Sequence, residues 1–366
     1  MNSDESICFL GDFACPSGLA DRLHGWKIPD CAASVINLEG AFPSEGFEAI
    51  SGSEPLLYND REALPILQSW KVRVASLANN HLLDANSRPS ETRRLLRDVG
   101  IQSCGGGDDS TEASEPATIE VAQEQILVFS FGWPVIGCKA ATPASPGVNP
   151  LEEETILRTI ETTKDQNPKA KIILLLHWDY ELELYPLPGQ RRLSRNAISA
   201  GVDLIIGHHP HCVQGIEIFG GRPVIYSIGN WFIPQGRWFG SPVRYPDFAM
   251  RQMAVVWNVT TGQADCHWFD FDPDSISLTH HQTLSAHSAS NDRNITPFSG
   301  MSDTEYRSWF KEQRRQKRLL PIYDSFVDGF RNRSLDAWVR LRHQAVKARS
   351  LLRLLKTRRG NESRTP

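Results

Sequence analysis

The chain predicts an α/β domain built on a largely parallel sheet, and three observations carry that expectation. At 366 residues with 40% apolar content it can bury a sizeable core. Short β-branched or apolar runs alternate with longer stretches of helical period, the pattern of strand and helix in turn. Five of the apolar runs also end in a carboxylate, an amide or an imidazole, where an open α/β sheet gathers its functional groups.

Taken in order, strands are expected at 7–10 (ICFL), 33–37 (ASVIN), 72–77 (VRVASL), 126–131 (ILVFSF), 171–176 (KIILLL), 203–207 (DLIIG), 224–228 (VIYSI) and 253–259 (MAVVWNV). Helices are expected over about 88–99, 151–166 and 189–200, the first with Ser87 before it and Gly100 after it as cap signals. Residues 132–150 hold Pro134, Pro143, Pro146 and Pro150 and read as a loop. Gly105, Gly106 and Gly107 read as a flexible turn: no Lys-Ser/Thr follows, and Asp108 and Asp109 would repel a phosphate. From about residue 274, Ser, Thr, His, Asn and Asp replace the apolar period. The main domain is therefore expected over 1–285, a linker over 286–303 and a basic helical tail over 304–366, with His280, His281 and His287 solvated and not ligands.

Composition narrows the function classes. The longest apolar runs are far below the roughly 20 residues that cross a bilayer, and the acidic start MNSDESICFLGD lacks the basic flank of a secretory signal. A cytoplasmic protein, peripheral to the membrane at most, is expected. Seven cysteines without a CxxC pair read as free thiols. Cys212 follows His211 directly, but its neighbours Val213 and Ile216 mark it as a packing residue. Residues 301–366 hold 17 Lys/Arg against 7 Asp/Glu, so the tail is near +10 and the rest of the chain near −14. An acidic body argues against nucleic acid as the main partner.

The strand ends carry the chemistry. Asp12 closes the first run and Glu39 the second; Asn79, Asn80 and His81 follow the third; His177 ends KIILLL; His208, His209 and His211 follow DLIIG. Carboxylates, an amide and neutral imidazoles converging on one crevice suit a divalent Mn, Fe or Zn ion, whereas Ca or Mg sites are built from oxygen. Each piece alone is a weak signal; their joint placement points to a metal centre.

The motifs GD at 11–12, NLEG at 37–40, SLANNHLLD at 76–84, LHWDYE at 176–181, AGVDLIIGHHPHCVQGIE at 200–217 and GRPVIYSIGNW at 221–231 resemble the CapA family, named for poly-γ-glutamate capsule synthesis and similar to calcineurin-like metallophosphoesterases. The resemblance implies an α/β/β/α sandwich of two sheets with one or two divalent ions at the strand ends. It implies Asp12, Glu39, Asn80, His177, His209 and His211 as metal ligands and His81 as the group that protonates a leaving oxygen or holds the transition-state charge. Asp84 either orients His81 or starts the following helix. Two departures matter: Phe13 and Ala14 leave the D-x-H opening incomplete, and Asp179 stands where CapA relatives commonly carry glycine. Asp179, Glu181 and His208 are candidates for a supporting or substrate-facing role. Trp178, Trp231 and Phe232 flank the motifs and are either core or stacking residues.

The tail stretches 306–320 and 331–359 have helical period, with Leu335, Trp338, Leu341, Ala345, Ala348, Leu352 and Leu355 in one stripe and Arg340, Lys347 and Arg358 opposite. Such a helix docks on the protein's own acidic body, on an anionic membrane or on an acidic partner. Three functions are consistent with the whole. One is a metal-dependent hydrolase of a phosphoester in capsule or exopolysaccharide metabolism; another is an accessory protein of polymer synthesis or export that binds an anionic chain; the third is an amide hydrolase or transferase acting on a γ-glutamyl polymer.

Overall fold

The computed structural model of this protein describes residues 2–44, 46–47, 55–86, 88–314 and 317–345. Seven of the eight expected strands form with small shifts at their ends: Ser6–Phe13, Ala33–Leu38, Val72–Ser76, Glu124–Gly132, Lys171–His177, Leu204–His208 and Arg251–Asn258. The eighth, 224–228, divides. Arg222–Ile225 pairs in one sheet, the chain crosses through Gly229 at φ +71°, and Asn230–Phe232 pairs with Ser6–Phe13 in the other.

An eight-stranded sheet runs Ser277–Ser285, Ala264–Asp272, Arg251–Asn258, Ser6–Phe13, Ala33–Leu38, Val72–Ser76 and Gln102–Cys104, with Asn230–Phe232 beside Ser6–Phe13. A six-stranded sheet runs Ile216–Phe219, Arg222–Ile225, Leu204–His208, Lys171–His177, Glu124–Gly132 and Ala117–Val121. Side chains alternate across a strand, so each sheet has two apolar faces. Ile7, Phe9, Val35 and Val74 meet Val128, Ile173, Leu175 and Ile206 between the sheets. On the outer faces, Cys8, Leu10, Ile36 and Ala75 pack with Ala63–Ser69 and Pro89–Asp98, while Ile172, Leu174, Leu176 and Ile205 pack with Glu153–Gln166 and Pro188–Ala200. The result is α/β/β/α. Strands covered on both sides are near-continuous apolar runs, which is why these were legible.

Several expectations need correction. Ser277–Ser285, placed partly in the low-complexity stretch, is an edge strand. Its side chains are mostly exposed, so no apolar alternation marks it, and its polar residues suit an edge strand. The 286–303 stretch expected as a linker holds the helix Ala286–Asn291 and buries Thr296 and Phe298 in the body. Asp303–Gln313, the first helix of the basic tail, buries Tyr306 and Phe310 in the outer core of the six-stranded sheet, where Tyr323 and Phe326 follow. Gly105, Gly106 and Gly107 are packed and not a flexible turn: a Cβ on Gly105 would lie 2.7 Å from Ala78 and Ser130.

A second tail helix covers 330–345. Val339 is buried and Leu335 half-buried against the body, while Trp338, Leu341 and Ala345 of the same stripe stay exposed. Ser87, Lys347, Ala348, Leu352, Leu355 and Arg358 lie outside the described residues. Among those described, no helix is long and apolar enough to cross a membrane.

Candidate metal centre

Parallel strands deliver their carboxyl ends to one edge, and both sheets do so at the same end of the sandwich. Asp12 and Asn37 are side by side in the first sheet, as are His177 and His208 in the second. The sheets approach closely here. A Cβ on Gly11 would sit 2.1 Å from the Gly229 carbonyl and one on Gly207 1.8 Å from that of Tyr226, so only glycine fits at either position.

Asn37 is the hub. Its Nδ2 donates to Asp12 Oδ1 and to Glu39 Oε2, each at 2.8 Å, and lies 3.5 Å from His177 Nδ1. His177 Nε2 lies 2.8 Å from Asn80 Oδ1 and 3.6 Å from Glu39 Oε1. On the other side, His208 Nδ1 and His211 Nδ1 are each 3.2 Å from a different oxygen of Asp12, and the backbone N–H of His209 donates to Asp12 Oδ2 at 3.2 Å. His211 Nδ1 is also 2.8 Å from Asn230 Oδ1, and its ring packs on Tyr245 with centroids 5.0 Å apart. Asp12, Glu39, His177, His208, His209 and His211 are all buried.

Two groups of three ligand atoms come within 4.8 Å of one another: Asp12, Glu39 and His177, and Glu39, His209 and His211. Glu39 belongs to both. Its Oε1 and the Nδ1 of His209 are buried without a hydrogen-bond partner among the described residues, and such atoms are costly unless something fills them. The charge pattern agrees. Burial, then the negative charge of Asp12, pushes Glu39 up to about 8. Burial opposes ionisation of Asp12 too, but His208 and His211 hold it well below the usual range. Burial and neighbouring imidazoles hold His177 and His209 well below theirs, so both rings are neutral and able to ligate. Oxygen and imidazole donors in this mixture fit divalent cations of the Mn, Fe or Zn type.

The turn that presents the imidazoles is strained. His209 has φ +91° and His211 φ +56°, a region that costs a non-glycine residue on the order of 1–3 kcal/mol and recurs at functional sites. Asp179 has φ +69°, a left-handed region that aspartate tolerates better than most side chains. Its carboxylate does not reach the ligands. It accepts from the Tyr180 N–H at 2.7 Å and from Gln214 Nε2 at 2.9 Å. Burial and the nearby charge of Glu183 push it up to about 8.

His81 stands at the rim, partly exposed. Its Nδ1 lies 2.5 Å from Asp84 Oδ2, which also accepts from the Leu57 N–H at 3.1 Å. Burial opposes the charge of His81, but Asp84 and then Glu39 outweigh it and raise the pKa. Asp84 therefore orients His81; the helix Pro89–Asp98 begins five residues later. Asn79 is structural, its Oδ1 accepting from the Gly40 and His81 N–H groups. Glu181 is exposed and close enough to influence His211 and Tyr245 electrostatically. Trp178, Trp231 and Phe232 are fully buried core residues, and Cys212 points its thiol at the Glu183 carbonyl. His280, His281 and His287 are exposed, on the edge strand and the helix after it.

Three residues of the centre escaped the sequence reading. Asn37 and Asn230 sat inside quoted motifs, and the rule that found Asp12 and His177, a polar residue at the end of an apolar run, applies to both. Tyr245 carries no such signal; a loop brings it to His211.

A profile of the family described as Bacterial capsule synthesis protein PGA_cap matches residues 28–235. Asp12 lies upstream of that span. Capsule biosynthesis protein CapA of Bacillus anthracis is 26% identical over 166 residues, 44% of this chain and 40% of the relative. PGA biosynthesis protein CapA of Bacillus subtilis strain 168 is 28% identical over 184 residues, 49% and 47% respectively. A "Probable polyglutamine synthesis accessory protein" of Mycobacterium tuberculosis is 29% identical over 241 residues, 58% and 63%. The chain spans about half the length of the curated relatives it matches. Among solved structures, a 5'-nucleotidase precursor from Thermus thermophilus aligns with 84% of this chain and 58% of its own at 13% identity and TM-score 0.39. Sulfate thiohydrolase SoxB of the same organism aligns with 70% and 39% at 13% identity and TM-score 0.36.

Proposed function

Since the chain belongs to the family of the Bacterial capsule synthesis protein PGA_cap, we propose that it is a metal-dependent hydrolase of the phosphoester type serving capsule or poly-γ-glutamate-like polymer biosynthesis. The observation that carries this reading is the sharing of Glu39 between two groups of three ligand atoms. That arrangement would let Glu39 serve both groups when metal is bound. Asp12, Glu39 and His177, with Asn80 beside His177, would hold one; Glu39, His209 and His211 would hold the other. Cations there would supply Lewis-acid polarisation of a phosphoryl oxygen and lower the pKa of water.

The remaining steps belong to the chain's own residues. Asn37 holds the Asp12 and Glu39 carboxylates in place through one amide. Asp84 engages His81 at Nδ1, and Nε2 has no hydrogen-bond partner among the described residues. With its pKa raised, His81 keeps its proton to higher pH than a free imidazole and would give it to the leaving oxygen from Nε2. Absence of a D-x-H imidazole is offset in part by His208, which meets Asp12 from the second sheet.

The test is a metal-loaded preparation, its content measured by elemental analysis, assayed on bis(p-nitrophenyl) phosphate and a panel including γ-glutamyl amides. Turnover of the phosphodiester, lost in His209→Ala, is the expected outcome. Full metal content without turnover of any phosphoester would sink the phosphoesterase reading.

A second reading, an accessory protein that docks on an anionic membrane, draws on a specific surface. Phe330 is 89% exposed, Leu341 67% and Trp338 44%, on a helix that also exposes Arg340 and Arg342. Removing 329–366 is expected to abolish sedimentation with anionic vesicles while turnover persists; unchanged sedimentation rules the docking out.

A further inference from the structure

One element at the mouth of the centre has no part in the chemistry above. Strands Gly236–Phe239 and Ser241–Val243 form a hairpin outside both main sheets. Its root is tied to the His211 side. Asn230, which bonds His211, lies on the strand leading into it, and Tyr245, which packs on His211, leaves it with its N–H donating to Gln235 Oε1 at 3.1 Å. Its tip is tied to the His81 side. The Phe239 carbonyl accepts from the Leu56 N–H at 3.2 Å, and the Leu57 N–H next to it donates to Asp84, which holds His81. Phe239 and Val243 anchor the inner face in a small cluster with Ala14, Leu57 and Ile233. The hairpin therefore links the two flanks of the centre.

Its exposed residues are unlike the acidic body. Arg237, Trp238 and Arg244 are exposed on it, with Trp238, 41% exposed, folded back so that its indole N–H donates to the Gln235 carbonyl at the root. Neither Arg237 nor Arg244 has an ion-pair or hydrogen-bond partner among the described residues, whereas other arginines, such as Arg195, Arg307 and Arg333, are paired with carboxylates. Two uncommitted guanidiniums and an indole plane beside a catalytic crevice are the equipment for holding anionic groups along a chain.

We infer that the 236–244 hairpin is a substrate-seating lip that takes an anionic chain, with Arg237 and Arg244 holding charged groups beyond the one at the centre. The inference rests on the proposed working site at Glu39, but its test reads binding, so a chain that binds without being hydrolysed separates the two. Metal-loaded protein is titrated with a ten-residue oligoglutamate, with polyphosphate and with a ten-residue oligoglutamine at low salt, followed by calorimetry. Oligoglutamate or polyphosphate is expected to bind and oligoglutamine not, the tighter of the two anions identifying carboxylate or phosphate as the source. Arg237→Ala with Arg244→Ala is expected to weaken binding about tenfold or more, the Lys pair to retain most of it, and 0.5 M salt to remove most of the difference. Arg158→Ala, exposed on the helix Glu153–Gln166, is the control that binds like the parent. Unaltered binding in the Ala pair, equal loss in the Lys pair, equal binding of oligoglutamine or binding of neither anion would each overturn the lip.

Discussion

Of the residues at the centre, Asp84 has the effect easiest to read, because His81 is its one link to the candidate catalytic groups and an asparagine in its place can still accept from the Leu57 N–H. A raised histidine pKa keeps the proton-donating form populated at pH values where a free imidazole has lost it. Activity that needs this proton is full below the raised pKa and lost as pH rises through it. Asp84→Asn removes the hydrogen-bonded charge that outweighs burial. The alkaline limb of kcat/KM is expected to move to lower pH, with a fall of roughly 10–100-fold at pH 8, as carboxylates supporting an imidazole commonly show. An unmoved limb in the pH profile would remove His81 from the acid role. Asp84 and His81 were paired in the sequence by their spacing alone. Asn37 was not singled out, since one amide serving two carboxylates is visible only when Asp12 has been brought beside it.

At the level of elements, the helix Asp303–Gln313 decides how the C-terminal region is understood. Arg314, at its end, is buried and pairs with the buried Glu183 at 2.7 Å while stacking near Tyr180 and Phe310. Glu183 lies on the loop after His177, so the basic tail reaches under the segment that carries a ligand. Arg314→Ala leaves Glu183 buried without its cation, which costs about 3–5 kcal/mol for such pairs. Urea denaturation is the measurement, and a loss below about 1 kcal/mol would show that the pair is not braced by burial. The composition of the tail announced its charge and its helical period. It did not announce that one arginine is buried, because an arginine at a core position and one in water have the same letter and the same spacing.

For the whole molecule, the two sheets bring five strand ends from two halves of the chain to one edge, where buried carboxylates and imidazoles face one another. Adding Mn or Zn is expected to raise the melting temperature in a concentration-dependent way, by about 2.7 kcal/mol of stabilisation at a hundred times the dissociation constant. A chelator should reverse it. His209→Ala should show a smaller shift, and equal shifts in parent and variant would place the ion elsewhere.

The sequence by itself determined the α/β class and most of the candidate ligands. Runs buried on both faces are apolar throughout, and each ends abruptly where a polar group meets the crevice, so Asp12, Glu39, Asn80, His177 and His211 stood out without any fold in hand. Only the tertiary structure decided the sharing of Glu39 and the placing of Asn37, Asn230 and Tyr245. It also decided that Asp179 faces Gln214 rather than the ligands, and that edge strand Ser277–Ser285 and helix Asp303–Gln313 belong to the body. The physical reason is the same in each case. A residue's burial and spacing along its own element leave a local pattern, whereas a contact between elements far apart in the chain, or a strand exposed on an edge, leaves none.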